Sequence, residues 1–300
     1  MLRRITRITR IVPDGGDLTT AVEEASGARV DALHDVGGGD TSRAALAVLA
    51  DGREVFVKSH HRAPDGFFEA EAHGLAWLAE AGALRLPAVV GTGRHGDVAV
   101  LVLERIHPGR PDPDHDEALG RGLAALHGAG APSFGLDRPG FIGPLPQDNT
   151  PAGDWPTFFA ERRVLPLVRR AVHDGRLPPE ARGLADRLAA RLPQLAGPPE
   201  PPARLHGDLW GGNAIVDEHG APVLIDPSAH GGHREVDLAM MRLFGGFGPR
   251  VFAAYEDAFP LADGHAERVA LWQLHPLLVH TVLFGGGYAS SVLAALRRYA

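Results

Sequence analysis

The stretch LHGDLWGGNAIVDEHGAPVLIDPS, residues 205–228, sets oxygen donors at short intervals. Asp208 is followed five positions on by Asn213, and thirteen beyond that by Asp226. Hard divalent cations such as Mg2+ take oxygen ligands, often only one or two carboxylates, with substrate phosphates completing the shell. The Asn213 amide oxygen and the Asp226 carboxylate meet that demand. Asp208 shares the glycine-rich loop with Asn213 and is placed to accept a proton from an attacking hydroxyl. The chemistry implied is phosphoryl transfer: metal at the phosphates, a carboxylate orienting the nucleophile, and a lysine on the nucleotide. Singly, each residue has an ordinary role as a solvated or capping Asp, a turn Asn, or the Asp of an Asp-Pro turn.

Together they form H-G-D-x-x-x-x-N followed by I-D, and the Asp-to-Asn interval is that of the protein-kinase catalytic loop. The missing part is the lysine. Lys58, in GREVFVKSHH, is the one lysine among 30 lysines and arginines. In an arginine-rich chain that could be chance. The alternative is a position that needs a compact ammonium, which a planar guanidinium does not replace. A helix glutamate should pair with it. FFEAEAHGLAWL offers Glu69 and Glu71. Glu71 is preferred because it shares a helical face with Leu75 and Leu78, and either could instead lie on a solvated face. Gly37, Gly38 and Gly39 make a turn ahead of the lysine strand whose backbone N–H groups could cradle phosphate oxygens. The run is not a G-x-G-x-x-G. In LVLERI, Glu104, Arg105 and Ile106 would present backbone groups to adenine.

These residues need a scaffold that the sequence outlines. Residues 44–58 read as a hairpin, with ALAVLA and the alternating EVFVK on either side of the Asp51-Gly52 turn. Helical spacing over 65–82 ends at Gly82, and 97–106 reads as a buried strand. The Pro/Asp-rich break from His107 marks the expected lobe boundary, giving a nucleotide-binding lobe over 1–106 and a catalytic lobe over 107–300. In the second lobe, helices are expected at 116–130, 157–174, 179–195 and from 235. Residues 131–156 read as a loop, 197–203 as a rigid connector, and 223–228 as a short buried strand. Residues 277–296 carry no Lys, Arg, Asp or Glu, but Gly285–Gly287 and His280 favour two core helices joined at a glycine turn over a membrane span. The fold class expected is α+β, with a small β-rich lobe and a larger helical one.

At 300 residues, 44% hydrophobic and 22% charged, the chain has the composition of a soluble globular protein. A net charge of -7 argues against general nucleic-acid binding. Without cysteine there is no disulfide framework, thiolate metal site or cysteine nucleophile, which fits a cytoplasmic location. The N-terminal MLRRITRITRIVPDGG lacks the apolar run of a signal peptide.

From about Gly38 to Tyr288, the chain resembles the fructosamine/ketosamine kinases of the protein-kinase-like aminoglycoside and choline kinase group. The residues that carry the resemblance are HGDLWGGN, LIDPSAHGGHREVDLAMMRLFGGF, LGRGLAALHGAGAPSFGLDRPGFIGPLPQDNTPAGDW and LLVHTVLFGGGY. The resemblance implies a bilobal kinase-like fold and ATP-dependent, Mg2+-assisted transfer to the sugar 3-hydroxyl of ketoamines, either small molecules or glycated lysines on proteins. It makes Asp208 the proton acceptor, Asn213 and Asp226 the metal ligands and Lys58 the phosphate holder, with Glu104, Arg105 and Ile106 as the hinge. Three positions depart from the family. Gly211 stands where many members have serine, and Ser228 and His230 where alanine and tyrosine are frequent. The last two leave the shape of the acceptor site open, with Trp210 and His230 as candidate substrate contacts. Trp210 could equally be core. His206 is read as bracing the catalytic loop. Gly207 replaces the arginine with which protein kinases read a phosphorylated activation loop, and the short interval before REVDLAMM leaves no room for such a segment.

Two other classes remain in view: a kinase for another hydroxyl, such as an aminoglycoside, choline or a thio-sugar, and a non-catalytic kinase-like binder. Retention of Lys58, Asp208, Asn213 and Asp226 speaks against the second.

Overall fold

The computed structural model describes residues 15–38 and 42–300. Gly39 and the basic N-terminal stretch lie outside the described residues. Contacts divide the chain into two units. One comprises the described residues up to Ala72 with Pro87–His107, and the other His73–Leu86 with Pro108–Ala300. The segment 73–86 thus belongs with the second unit, although it precedes the expected boundary.

The first unit begins with helix α1 (Gly15–Ser26), followed by strands β1 (Val30–Gly38), β2 (Arg43–Leu49) and β3 (Glu54–His61), helix α2 (Phe67–Ala79), and strands β4 (Val89–His95) and β5 (Val98–Glu104). The strands form one antiparallel sheet ordered β1-β2-β3-β5-β4. Alternation in β2 and β3 sends Ala45, Ala47, Leu49, Val55 and Val57 to one face. There they meet Leu18, Ala21 and Val22 of α1. Gly91 lets α1 lie directly on β4, since a Cβ there would come within 2.1 Å of the Ala25 carbonyl oxygen. Neither α1 nor β1 is anticipated by the sequence reading, and the hairpin of β2 and β3 is.

The second unit takes α2 from His73 onward and adds α3 (His115–Gly128), the hairpin strands β6 (Gly140–Ile142) and β7 (Leu145–Gln147), and α4 (Trp155–Phe158). A π-helical turn over Phe159–Val164 joins α4 to α5 (Leu165–His173), and α6 (Glu180–Leu195) follows. Next come β8 (Ala203–Leu205), β9 (Ala214–Val216), β10 (Pro222–Leu224) and β11 (His230–Gly232). Helices α7 (Glu235–Phe244), α8 (Pro249–Ala258), α9 (His265–Trp272), α10 (Leu274–Phe284) and α11 (Gly287–Tyr299) complete it. β9 pairs with β10 and β11 with β8, both antiparallel. One apolar core gathers Trp155, Phe158, Phe159, Leu188 and Trp272, and a second gathers Trp77, Leu123, Leu209, Met241 and Tyr255.

Four expectations change. The strand expected over 223–228 ends at Leu224, and Asp226 lies beyond it with φ +55°. The loop expected over 131–156 contains the β6–β7 hairpin. The helix expected over 157–174 begins at Trp155 and includes the π turn. The helix over 65–82 is shorter, Phe67–Ala79. The glycine turn near the C-terminus does separate two helices, with Gly285 and Gly286 at φ +67° and +63°. No helix among the described residues is long and apolar enough to cross a membrane.

Candidate active site

In the first unit, β3 carries Lys58 between Ala44 of β2 and Leu101 of β5. Its Nζ donates to both Glu71 carboxylate oxygens, at 2.7 and 2.8 Å. Both side chains are nearly buried, 12% and 13% exposed, so water screens the pair less than it would on the surface. Glu69 is exposed, and Glu71 is therefore the partner. Gly38 is the last residue of β1. Glu104 ends β5, where its N–H donates to the Ala88 carbonyl (2.8 Å) and its carboxylate accepts from the Ala88 N–H (3.1 Å). Arg105 turns back to Glu54 at 2.5 Å. Ile106 is half-buried.

In the second unit, the loop between β8 and β9 holds Asp208 and Asn213, and the end of β10 leads to Asp226. The Asn213 amide joins all three. Its Nδ2 donates to the Asp208 carbonyl (2.8 Å), the Asp208 carboxylate (3.3 Å) and the Asp226 carbonyl (3.4 Å). With Nδ2 so engaged, Oδ1 is the atom this amide can offer a cation. The donor set at Asn213 and Asp226 is oxygen alone, which suits Mg2+ and not Zn2+.

Asp226 sits in the left-handed region, where non-glycine residues are uncommon and tend to mark functional positions. His206, fully buried, anchors the backbone on either side of it. Its Nε2 donates to the Ile225 carbonyl (2.9 Å), and its own carbonyl accepts from the Ser228 N–H (2.9 Å). Its Nδ1 accepts from the Asp208 N–H (3.3 Å). These bonds fix the Nε2–H tautomer, and burial pushes the imidazole below its usual range. Neither nitrogen is free to act as a base, so the bracing role expected for His206 fits. Gly207 lies at φ +81°, and a Cβ there would come within 2.1 Å of the Ser228 carbonyl oxygen. An arginine could not occupy it.

Asp237, buried on α7, holds the same loop from below. It accepts the backbone N–H groups of His206 (2.7 Å) and Gly207 (2.9 Å), and His127 Nε2 at 3.3 Å. Burial alone would raise this carboxyl, but the hydrogen bond and charge of His127 hold it below its usual range. His127 in turn meets the Tyr255 hydroxyl at 2.8 Å. The sequence reading gave Asp237 and His127 no role. The available signal was an aspartate inside the apolar run VDLAMM.

Trp210 is 44% exposed, which excludes the core reading. Its ring lies over Gly212, where a Cβ would come within 2.3 Å of it. The N–H of Gly211 donates to the Gly245 carbonyl (3.2 Å), tying this loop to the end of α7. His230 is not at a surface. It is 1% exposed on β11, stacked on Phe158 with centroids 5.8 Å apart, and bonded through Nδ1 to the Ser228 carbonyl (3.0 Å). Burial and the nearby Arg163 push it down to about 3. A direct substrate contact is replaced by an interior one. Only residues 227–234 separate Asp226 from α7, and they run through the buried β11.

The model of the fructosamine kinase family matches residues 17–300. A "probable ketoamine kinase" of Thermus thermophilus is 42% identical over 259 residues, covering 86% of this chain and 90% of that protein. A crystal structure from Thermobifida fusca, bearing the name "putative fructosamine-3-kinase", superposes with a TM-score of 0.85 at 44% identity, covering 93% of this chain and 97% of that one. An aminoglycoside phosphotransferase at 16% identity shares the fold alone, with a TM-score of 0.59 over 94% of this chain and 99% of that one. The fold is thus α+β and protein-kinase-like, and the chain belongs to the fructosamine kinase family of phosphotransferases.

Proposed function

We propose that the protein transfers the γ-phosphoryl group of ATP, with Mg2+, to the sugar 3-hydroxyl of ketoamines, carried on small amines or on glycated lysines. The observation that carries the reading is the Asn213 amide, which joins the Asp208 carboxylate to the Asp226 backbone in a member of this family. In the mechanism, Asp208 orients the acceptor hydroxyl and takes its proton as the oxygen bonds to phosphorus and the bond to ADP breaks. Asn213 and Asp226 would hold Mg2+, which neutralises charge on the phosphates when bound. Lys58, aimed by Glu71, holds nucleotide phosphates as a point charge. Gly38 contributes backbone N–H to them, as does Gly39 in the expectation from sequence. Glu104, Arg105 and Ile106 supply the adenine contacts. Trp210, exposed two residues from Asp208, walls the acceptor. The absence of cysteine favours a cytoplasmic setting.

The test is ADP release with ribulosamine, erythrulosamine and fructosamine adducts, free and on protein, against aminoglycosides and choline. Turnover restricted to ketoamines, lost with EDTA and restored by Mg2+, is the expected result. Turnover of choline or an aminoglycoside alone would replace this reading, and full activity in metal-free buffer would remove the metal from it.

A further inference from the structure

Asp226 keeps its left-handed backbone next to a segment that is tied down twice. One tie is to His206, described above. The other runs through the Ser228 side chain, 6% exposed, whose Oγ lies 2.8 Å from the Phe141 carbonyl and 2.5 Å from Gln147 Oε1. Both partners belong to the β6–β7 hairpin, where Phe141 faces Pro146 and Gly140 faces Gln147. A hydroxyl has one proton and cannot donate to two oxygens. Gln147 Nε2, meanwhile, is buried and meets no acceptor among the described residues. Turning the Gln147 amide over resolves both facts, because amide orientation is an assignment that the hydrogen-bond network must decide. Nε2 then donates to Ser228 Oγ, and Oγ donates to the Phe141 carbonyl.

The hairpin is itself held from beneath. Arg163, on the π turn and 1% exposed, donates to the Asp148 carbonyl (2.6 Å) and to Asn149 Oδ1 (2.7 Å), with its guanidinium 4.5 Å over the Phe158 ring. The chain leaving β7 is therefore fixed, and Gln147 offers Ser228 a rigid anchor. An alanine at 228 would keep the bond to His206 and lose the bonds to the hairpin.

We propose that Ser228 and Gln147 form a positioning pair for Asp226, locking the segment that follows it so that the carboxylate keeps its aim at the metal. The proposal rests on the reading of Asp226 as a metal ligand, and its test measures metal directly. Mn2+ binding to the protein with a non-hydrolysable ATP analogue is followed by electron paramagnetic resonance for wild type, Ser228→Ala, Gln147→Met and the double variant, alongside thermal melts and steady-state kinetics. Partners that orient a metal ligand cost on the order of tenfold in metal affinity when removed. Each single variant is expected to weaken Mn2+ by about that factor and to lower kcat, with the KM for ketoamine held. The double variant should lose no more than either single one. A purely structural role would lower the melting temperature and leave Mn2+ affinity at the wild-type value, which overturns the proposal. Losses that multiply in the double variant overturn the pairing. If wild type binds no Mn2+, the metal reading of Asp226 fails and this pair with it. If Mn2+ weakens as expected while no ketoamine is turned over, the pair stands and only the acceptor assignment falls.

Discussion

Asp208→Asn keeps the size and polarity of the side chain and removes its capacity to take a proton. Because Asn213 donates to the Asp208 backbone carbonyl at 2.8 Å, the loop should keep its shape in this variant. The expected outcome is a loss of roughly 10²–10⁴-fold in kcat with nucleotide affinity held, read by initial rates and by nucleotide titration. Near-normal kcat would remove Asp208 from the mechanism. Lys58→Arg probes the proposed phosphate contact in the first unit. Both Glu71 oxygens lie within 2.8 Å of one ammonium nitrogen, a geometry that a planar guanidinium cannot reproduce on the same stem. A displacement of about 1 Å costs on the order of 10²-fold, so kcat/KM should fall by about that much with the melt unchanged. A silent Lys58→Arg would make the single lysine an accident of composition. At this scale residue type and interval were informative about pairing, since Lys58 meets Glu71, and Asn213 meets Asp208 and the Asp226 carbonyl. The sequence was silent on burial, which is why His230 was read as a substrate contact and the Asp237–His127–Tyr255 chain was not seen.

Elements were legible in proportion to their period. β2 is a short apolar run and β3 alternates, and the hairpin is found where expected; α2 repeats its apolar residues at helical spacing and is found within the expected range, though shorter. Strands of three residues, such as β6 and β7, contain too little chain to show any period, and the proline- and glycine-rich stretch around them reads as loop. The left-handed turn at Asp226 depends on tertiary ties to His206 and Ser228, which no local pattern encodes. That crossing of loops gives a prediction. Gly207→Ala sets a Cβ at a positive φ and within 2.1 Å of the Ser228 carbonyl oxygen, a backbone atom that cannot swing aside. The expected cost is at least about 2 kcal/mol, seen as a lower melting temperature, together with a fall in kcat as the bond from Ser228 to His206 opens. Gly128→Ala is the control, since a Cβ there meets nothing within 4 Å. Equal melts for the two variants would mean that the loops do not rely on this approach.

Across the second unit, buried histidines give stability a pH dependence that the net charge does not suggest. His206, His230 and His275 are all buried, and burial is the leading cause that lowers each, His230 to about 3 and His275 well below its usual range. The folded state then binds fewer protons than the unfolded chain once pH drops below the ordinary histidine value near 6.5. Stability therefore falls as pH falls from that point, and continues to fall until the folded-state values are reached. Asp237 and Glu235, both held low, add their own loss only at lower pH, below the usual carboxylate range. A buried histidine contributes about 1.4 kcal/mol per pH unit between its unfolded value and its lowered folded value. The melting temperature should accordingly be flat above pH 7 and decline steeply from pH 6 to pH 4.5, before the carboxylates titrate. His230→Gln keeps a polar side chain near the Ser228 carbonyl and removes one titrating group, so the slope of unfolding free energy against pH, from urea melts between pH 6 and 5, should drop by about 1.4 kcal/mol per unit. An unchanged slope would mean that His230 is protonated inside the folded protein, and that its place between Phe158 and the Ser228 carbonyl is wetter than its burial implies.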